Sequence, residues 1–383
     1  MEQWKQDRLI DILDTLIDYR GKTPNKVECG IPLITAKIVK NGRIETPTEF
    51  LPAEEYRDWM VRGYPQVGDV VLTTEAPLGE VAQLKDDKIA LAQRIVCLRG
   101  KEDALDNTYL KYFLMSNIGQ YRLKARETGT TVTGIKQSEL KEVLIDYPNY
   151  ELQQKIASIL SSLDSKIELN RRINDNLEQQ AQALFKAWFV DFEPFKGEKF
   201  VESQLGMIPE GWKVGTLSDL LDIRYGKDHK KLNDGNIPVY GSGGVMRLAD
   251  GILYNGESVL IPRKGTLNNV LYVNCPFWTV DTMFYSIEKV PNVAKYCHLL
   301  LSKLDLASMN SGSAVPSMTT DILNKIQVIV ANQDVFRSFN ECISSLYLKA
   351  KINLDENKQL SETRDLLLPK LMSGGLIIKD LHS

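Results

Sequence analysis

The segment SSLDSKIELN at residues 161–170 recurs as SSLYLKAKIN at residues 344–353, a displacement of 183 positions. The same displacement relates GTTVTGI at residues 129–135 to GSAVPSM at residues 312–318. A displacement that stays constant across both segments indicates a tandem duplication. The chain is therefore predicted to contain two copies of one structural unit.

Earlier parts of the two copies match at other displacements, as insertions would produce. Three pairs of short segments carry this match: Gly21-Lys22 with Gly226-Lys227, IPL at 31–33 with IPV at 237–239, and GDVVL at 68–72 with GESVL at 256–260. The two copies have thus diverged most before the shared Gly-rich segment.

Each copy begins with short β-type runs between Gly, Asn, Asp and Pro turns, which indicates strands. The clearest runs are residues 69–73, 95–98, 259–261 and 270–273. Each copy then changes to one long helical pattern, starting after Pro148-Asn149 and near Asn332. Both patterns continue without Gly or Pro until Pro194 and Pro369. The predicted fold class is α+β, with two β-rich domains and two long helices.

The helical patterns have the spacing of coiled coils, with inward positions separated by four and three residues. The predicted seams are Ile156, Leu160, Leu163, Ile167, Asn170, Asn174, Leu177, Ala181, Leu184 and Trp188, then Phe339, Ile343, Leu346, Ala350, Asn353, Asn357, Leu360, Arg364, Leu367 and Leu371. Buried Asn fixes register at a cost in stability, so we expect this role for Asn170, Asn174, Asn353 and Asn357. Antiparallel pairing would bring these asparagines together and give the chain a pseudo-two-fold repeat. The alternative is that each helix packs only on its own domain.

Two similar domains on a stiff spacer suit a protein that reads two short sites on duplex DNA. A helix of this length spans about 55 to 60 Å, or one to two turns of duplex. Diverged domains would then read different half-sites. A second possibility is an adaptor that holds two proteins apart without touching DNA.

Basic, turn-rich segments supply candidate DNA contacts, because Arg and Lys bind phosphates and guanine, and Asn suits adenine. Each such segment can also be an ordinary solvated turn. The predicted contacts are Lys22, Thr23, Lys37, Lys40, Arg43, Arg94, Thr130, Lys136, Arg224, Lys227, Lys230, Arg263, Lys264 and Asn268.

Trp188 and Phe189 close the first helical pattern. They can cap the helix against a domain, or they can dock a partner subunit, since aromatic residues are frequent anchors. Both interpretations stay open at this point.

The composition excludes several classes of protein. The net charge is −3, which argues against a protein that coats nucleic acid without selectivity. Five dispersed cysteines without CxxC spacing indicate reduced thiols. No signal peptide or membrane-spanning run is found, so we expect a cytoplasmic protein without membrane contact. Three His without ligand spacing predict no metal site.

The chain resembles the specificity subunits (HsdS) of type I restriction-modification systems over nearly its whole length. The resemblance is carried by GDVVL at 68–72, AWFVDFEPF at 187–195, PFWTVDTMF at 276–284, GSAVPSM at 312–318 and LLPKLMSG at 367–374. The first copy lacks an evident PFWT element, and ALAQR at 90–94 occupies its expected place.

The resemblance implies two target-recognition domains at 1–150 and 194–331, coiled-coil helices at 151–193 and 332–373, and a tail at 374–383. Each domain would read one half of a bipartite double-stranded DNA target. The helices would dock two methyltransferase subunits, and restriction subunits would complete the nuclease. S-adenosylmethionine, ATP and Mg²⁺ would bind to those partners, leaving this chain without a cofactor.

We find no catalytic constellation in the sequence. An Asn/Asp-Pro-Pro-aromatic loop is absent, and Gly21-Lys22-Thr23 lacks the upstream Gly of a P-loop because that position is Leu16. A non-catalytic recognition subunit is therefore expected, and a methyltransferase or nuclease with a built-in reader is the alternative.

Overall fold

A computed structural model describes residues 4–19, 21–129, 133–309 and 317–376. The described chain divides into two compact units. The first unit contains the described residues up to Asn170 together with those from Asp355 onward, and the second unit is Arg171–Leu354. Each unit thus includes part of both long helices.

The first unit contains eleven strands and five short helices before the first long helix. Its strands are β1 (Lys5–Arg8), β2 (Leu13–Asp18), β3 (Ile31–Ile34), β4 (Val39–Lys40), β5 (Arg43–Ile44), β6 (Phe50–Leu51), β7 (Val70–Thr74), β8 (Leu78–Gln83), β9 (Ala90–Leu91), β10 (Ile95–Gly100) and β11 (Leu144–Tyr147). Its helices are α1 (Leu9–Ile12), α2 (Tyr56–Trp59), α3 (Asn107–Met115), α4 (Asn117–Lys124), α5 (Gln137–Lys141) and the start of α6 (Tyr150–Phe189), with a 3-10 turn at Ala53–Glu55.

The main sheet of this unit has the order β2-β10-β7-β8 and is antiparallel. A smaller sheet, β6-β3-β9, contains a parallel pair in which Leu33 faces Ala90 and Ile34 faces Leu91. β1 pairs with β11, and β4 pairs with β5. All five residues of β7 are buried, as expected for a central strand covered on both faces.

In residues 171–309 and 317–354, the second unit contains ten strands and three short helices before the second long helix. Its strands are β12 (Phe200–Ser203), β13 (Gly206–Pro209), β14 (Lys213–Thr216), β15 (Leu221–Tyr225), β16 (Ile237–Gly241), β17 (Gly244–Ala249), β18 (Tyr254–Pro262), β19 (Leu271–Thr279), β20 (Met283–Glu288) and β21 (Gln327–Val330). Its helices are α7 (Leu217–Leu220), α8 (Ala294–Lys303), α9 (Thr320–Asn324) and the start of α10 (Gln333–Met372), with a 3-10 turn at Glu193–Phe195.

The second unit repeats the strand pairing of the first. β14 pairs with β21 as β1 pairs with β11, and the order β15-β20-β18-β19 repeats β2-β10-β7-β8. β16 is parallel to β19 as β3 is parallel to β9, and here the two sheets merge into one of six strands. The predicted α+β fold with an internal repeat is therefore confirmed.

Both long helices begin at an Asn that caps them. The Asn149 side chain accepts from the Leu152 N–H at 2.9 Å, and the Asn332 side chain accepts from the Val335 N–H at 3.0 Å. Such caps satisfy an N–H group that has no partner within the helix. The two caps lie 183 residues apart, the same displacement as the sequence repeat.

The second long helix runs through Pro369, inside the helical region predicted at 332–373. α10 continues through Pro369 to Met372. A proline inside a helix removes one hydrogen bond, but the neighbouring Leu368, Leu371 and Met372 are buried in the core of the first unit. Their burial outweighs the lost bond and keeps the last turn helical.

The two long helices pair in antiparallel directions within each unit. In the first unit, Asp164 contacts Arg364 and Asn170 contacts Asn357. In the second unit, Asn174 contacts Asn353, and the Trp188 ring packs on Phe339. Residue numbers fall along α10 as they rise along α6, which confirms the predicted antiparallel coiled coil.

Candidate nucleic-acid interface

Three of the predicted DNA contacts, Thr23, Lys37 and Arg94, line one cavity in the first unit. The cavity has a volume of about 140 Å³, which exceeds the space that one water molecule needs. The other lining residues are Pro24, Lys26, Thr35, Ala36, Glu49, Ala76, Ala92 and Gln93. Three polar residues that lie far apart in the sequence, and that the sequence predicts as contacts, thus line the same cavity.

The parallel pair β3–β9 positions the cavity. The Ala92 N–H donates to the Ile34 carbonyl at 2.9 Å, and the Thr74 N–H donates to the Arg94 carbonyl at 3.0 Å. These two bonds fix the backbone on either side of Gln93. The loop after β2 contributes Thr23, whose hydroxyl donates to Gln93 Oε1 at 2.9 Å. The cavity is therefore built on paired strands and does not depend on one loop alone.

The rim of this cavity carries three cations and one carboxylate, namely Lys26, Lys37, Arg94 and Glu49. Lys26 Nζ lies 2.7 Å from Glu49 Oε2, and Lys37 Nζ lies 3.8 Å from Glu49 Oε1. The bond from Lys26 holds the pKa of Glu49 below its ordinary value. Arg94 pairs with Glu75 at 3.0 Å. These partly exposed pairs are weak, so a phosphate could replace the carboxylates.

The remaining predicted contacts of the first unit lie outside this cavity. Lys22 is exposed in the turn after β2, and Lys136 is exposed at the start of α5. Lys40 and Arg43 lie on the β4–β5 hairpin and face Glu45 at 3.5 and 3.8 Å. Thr130 lies outside the described residues.

In the second unit, Lys227 and Arg263 converge on the segment that ends β19. The Lys227 N–H donates to the Thr279 carbonyl at 2.9 Å, and its carbonyl accepts from Trp278 Nε1 at 2.9 Å. Arg263 Nη1 donates to the Asp281 carbonyl at 3.3 Å. The guanidinium also lies 5.4 Å from the centre of the Tyr225 ring. Two predicted contacts are thus held against one turn.

The other predicted contacts of this unit differ in whether their side chains are exposed or already bonded within the domain. Lys230 and Lys264 are exposed. Arg224 pairs with Asp222 at 2.8 Å. Asn268 donates to Asp305 Oδ1 at 3.0 Å and accepts from the Ala307 N–H at 2.9 Å. Both ends of its amide are engaged inside the domain, which argues against the base contact predicted for Asn268.

Backbone hydrogen bonds show which residues of ALAQR at 90–94 correspond to residues of the segment that contains PFWT in the second unit. The Val280 N–H donates to the Tyr240 carbonyl at 3.0 Å, just as Ala92 donates to Ile34. The Arg263 N–H donates to the Thr282 carbonyl at 2.9 Å, as Thr74 donates to Arg94. Gln93 and Asp281 therefore occupy equivalent positions in the two units.

The four asparagines of the predicted seam form two contacts. Asn170 Nδ2 donates to Asn357 Oδ1 at 3.0 Å in the first unit. Asn353 Nδ2 donates to Asn174 Oδ1 at 2.8 Å in the second, and Asn174 Nδ2 donates to the Ala350 carbonyl at 3.1 Å. A shift of one helix by one residue relative to the other would break these bonds. That the asparagines fix the register of the coiled coil remains a prediction.

Phe189 does not offer a docking surface. Its side chain is 2% exposed and packs on Tyr296, Phe336 and Phe339. The partner-docking prediction is therefore wrong for Phe189, because the β-rich domain covers the end of α6. Trp188 is partly buried against the same core, and its role in docking stays a prediction.

A polar cluster that the sequence did not reveal joins α3 to both long helices in the first unit. Asp164 accepts from Lys111 Nζ at 2.9 Å, Tyr112 Oη at 2.7 Å and Arg364 Nη1 at 2.9 Å. Burial opposes ionisation of Asp164, but these donors outweigh it and hold the pKa below its ordinary value. The lysine inside the apolar stretch NTYLKYFLM (residues 107–115) was the available signal.

The second unit has an uncharged contact in the same place. His298 Nδ1 lies 2.7 Å from Tyr347 Oη. Tyr347 follows Asp164 by the 183 residues of the repeat, and His298 is the fifth residue of α8 as Lys111 is of α3. Burial lowers the pKa of His298 to about 4, so the imidazole is neutral at pH 7.

The described residues offer neither a metal site nor a membrane-spanning helix. No group of three or more His, Cys, Asp or Glu side chains there could hold a metal ion. Among the described helices, none combines the length and apolar character needed to cross a membrane.

Comparisons with known proteins agree with this architecture. The family model described as "Type I restriction modification DNA specificity domain" matches residues 1–179 and 209–334. The MjaIX specificity subunit of Methanocaldococcus jannaschii is 30% identical, over 99% of this chain and 95% of its own length. The HindI specificity subunit of Haemophilus influenzae is 24% identical, over 75% of this chain and 81% of its own length.

A solved structure shares the fold. The crystal structure of the type I restriction-modification S subunit from M. genitalium matches with a TM-score of 0.56 at 20% identity. The match covers 97% of this chain and 96% of that one. The chain therefore belongs to the family of type I restriction-modification specificity subunits, which are non-catalytic DNA-recognition subunits.

Proposed function

We propose that this chain reads a bipartite double-stranded DNA target, one half-site per β-rich domain. The observation that carries the proposal is the repeated sheet plan with different side chains at equivalent places. Gln93 and Arg94 in the first unit stand where Asp281 and Thr282 stand in the second. A shared backbone frame with different side chains is what two different half-sites require.

Residues 1–150 and 194–331 are proposed as the two recognition domains. Residues 151–193 and 332–373 would form the helical regions between them, and 374–383 a tail. The helices would set the spacer between the half-sites. A helix of 40 residues is about 60 Å long, which matches one to two turns of duplex.

The chemistry of the first-unit cavity fits DNA. Its exposed cations, Lys26, Lys37 and Arg94, would bind phosphates and release counterions. Phosphate contacts position a protein on the duplex, and contacts with base edges give specificity. In the second unit, Lys227 and Arg263 would have the same positioning role next to Asp281.

The helices are also proposed to hold the partners. Two methyltransferase subunits would dock on them, and restriction subunits would join the assembly. S-adenosylmethionine, ATP and Mg²⁺ would belong to those partners, in a cytoplasmic complex. The relatives named above as specificity subunits of type I restriction enzymes support this assignment.

Mapping methylated sites by single-molecule sequencing tests the proposal. Cells would carry this chain with the methyltransferase of its own operon, and control cells would carry the methyltransferase alone. We expect one motif of two defined halves with a constant undefined spacer, present only with this chain. A contiguous motif, or the same motif in both cells, would refute the proposal.

Two biochemical measurements separate the rival functions. A purified chain that methylates DNA without partners would show an enzyme. A complex with the methyltransferase that shifts no target duplex in a gel would show a protein-only adaptor. Neither outcome is compatible with the proposed recognition role.

A further inference from the structure

Gln93 lines the first-unit cavity, and its backbone and side chain are both held by hydrogen bonds. The backbone bonds of Ala92 and Arg94 fix the chain on both sides of it. Thr23 fixes the amide itself, since its hydroxyl donates to Gln93 Oε1 at 2.9 Å. A polar group fixed in this way loses little freedom on binding, which favours selective contacts.

Among the described residues, the hydrogen-bonding capacity of that amide is only partly used. A carbonyl oxygen has two lone pairs, and Thr23 uses one of them. The Gln93 Nε2 group can donate and Oε1 can accept a second bond. This donor and acceptor pair is complementary to N7 and the N6 amino group of adenine.

The surroundings favour a nucleotide over a small uncharged molecule. The lining of the cavity includes the apolar residues Pro24, Ala36 and Ala92. The rim carries Lys26, Lys37 and Arg94. In a duplex, apolar side chains can contact the methyl group of thymine in the major groove, while the cations meet the phosphates beside it.

The equivalent position in the second unit carries different chemistry. Asp281 has only acceptors when ionised, and an Asp suits the N4 amino group of cytosine. Side chains at this point of the fold thus differ in the base edge that they complement, while the backbone bonds around them are the same.

We propose that Gln93 is a specificity-determining residue, which binds an adenine edge in the half-site of the first domain. Asp281 is its counterpart in the second domain. The inference rests on the proposed function, and it goes further by naming the residue and the base.

The test uses the full chain in complex with its methyltransferase. Gln93→Asp and Gln93→Ala are compared with Gln6→Ala, in which a glutamine of the same unit also loses one side-chain bond, to Asp146 at 2.7 Å. Methylated motifs are mapped for each. We expect Gln93→Asp to lower discrimination for one adenine by at least about 10-fold and Gln93→Ala to relax that position. Gln6→Ala should keep the wild-type motif.

A measurement with the unmodified complex covers the case in which the variants fail to fold. Each adenine of the first half-site, apart from any that is methylated, is replaced in turn by 7-deazaadenine, which lacks the N7 acceptor. We expect one replacement to weaken binding of the unmodified complex by at least about 5-fold. Where Gln93→Ala folds, that variant should show no such loss.

The outcomes distinguish the inference from the function. Absence of any motif with the wild-type chain would overturn the proposed function itself. A bipartite motif that stays unchanged in both Gln93 variants would overturn only the inference. The inference would also be overturned if no 7-deazaadenine replacement in the first half-site weakened binding, or if that half-site contained no unmethylated adenine.

Discussion

Replacement of Asp164 by Asn should destabilise the first unit by about 3 kcal/mol. The exposed fractions of the side chains are 8% for Lys111, 21% for Asp164 and 16% for Arg364. Removing one partner of a buried ion pair costs roughly 3–5 kcal/mol, because an unpaired charge stays buried. The partial exposure of Asp164, and the second carboxylate that Arg364 contacts at Asp365, place the expected cost at the lower limit.

Hydrogen exchange measured by mass spectrometry resolves this loss in one unit of a two-unit chain, where a single unfolding free energy is poorly defined. A loss of 3 kcal/mol corresponds to about 100-fold faster exchange for the amides of α3. Asp175→Asn is the control, since it removes an exposed carboxylate from the same helix. Adding Lys111→Met to Asp164→Asn should restore part of the protection.

The effect of pH has a defined sign. The pKa of Asp164 is lowered in the folded state, so its contribution is complete at neutral pH and is lost as pH falls below about 4. Asp164→Asn should therefore flatten the acid limb of the stability profile. If Asp164→Asn changes α3 exchange no more than Asp175→Asn, the buried ion pair does not stabilise the unit and the reasoning fails.

Three other outcomes follow from the same structure. The pKa of His298 is lowered to about 4 by burial, so the second unit should lose stability as pH falls from about 6.5. His298→Gln should abolish that loss of stability, as measured by hydrogen exchange of the second unit at pH 5 and at pH 7.5. One heptad inserted in both helices, after Asn170 and before Asp355, adds about 10 Å, so the mapped spacer should lengthen by about 3 base pairs; an unchanged spacer would contradict a spacing role. Phe189→Leu should cost about 1–3 kcal/mol through the lost ring contacts and the cavity left behind. It should leave methyltransferase assembly unchanged in gel filtration, whereas lost assembly of a folded variant would restore the docking role.

The repeat and the coiled coil could be predicted because both depend on local periodicity. Seam positions recur along one helix, so a single sequence reveals them. The asparagine positions followed from the same spacing. The predicted helical region at 332–373 already extends past Pro369, and the burial of Leu371 and Met372 in the core of the first unit explains why the helix continues there.

The interface was predicted only in part. The sequence predicts Thr23, Lys37 and Arg94 as contacts because they are basic or polar residues, and all three line one cavity. It does not indicate Lys26 and Gln93, since their place in that cavity depends on the parallel pairing of β3 with β9, two strands more than fifty residues apart. Burial of Phe189 likewise depends on helix α8, which is distant in sequence.

The polar cluster around Asp164 also bears on how domains can be exchanged. Lys111 of the β-rich domain needs the carboxylate on α6, whereas His298 meets the uncharged Tyr347. A donor domain with an apolar residue in place of Lys111 would leave Asp164 without that cation. A transplant should therefore come from a relative that keeps the lysine.

The most direct test of two-part reading is the methylated motif after residues 1–150 are replaced by the corresponding domain of such a relative. Bipartite reading predicts that one half of the motif changes while the other half and the spacer stay the same. A motif that changes in both halves, or one that is unchanged despite full methylation, would contradict it.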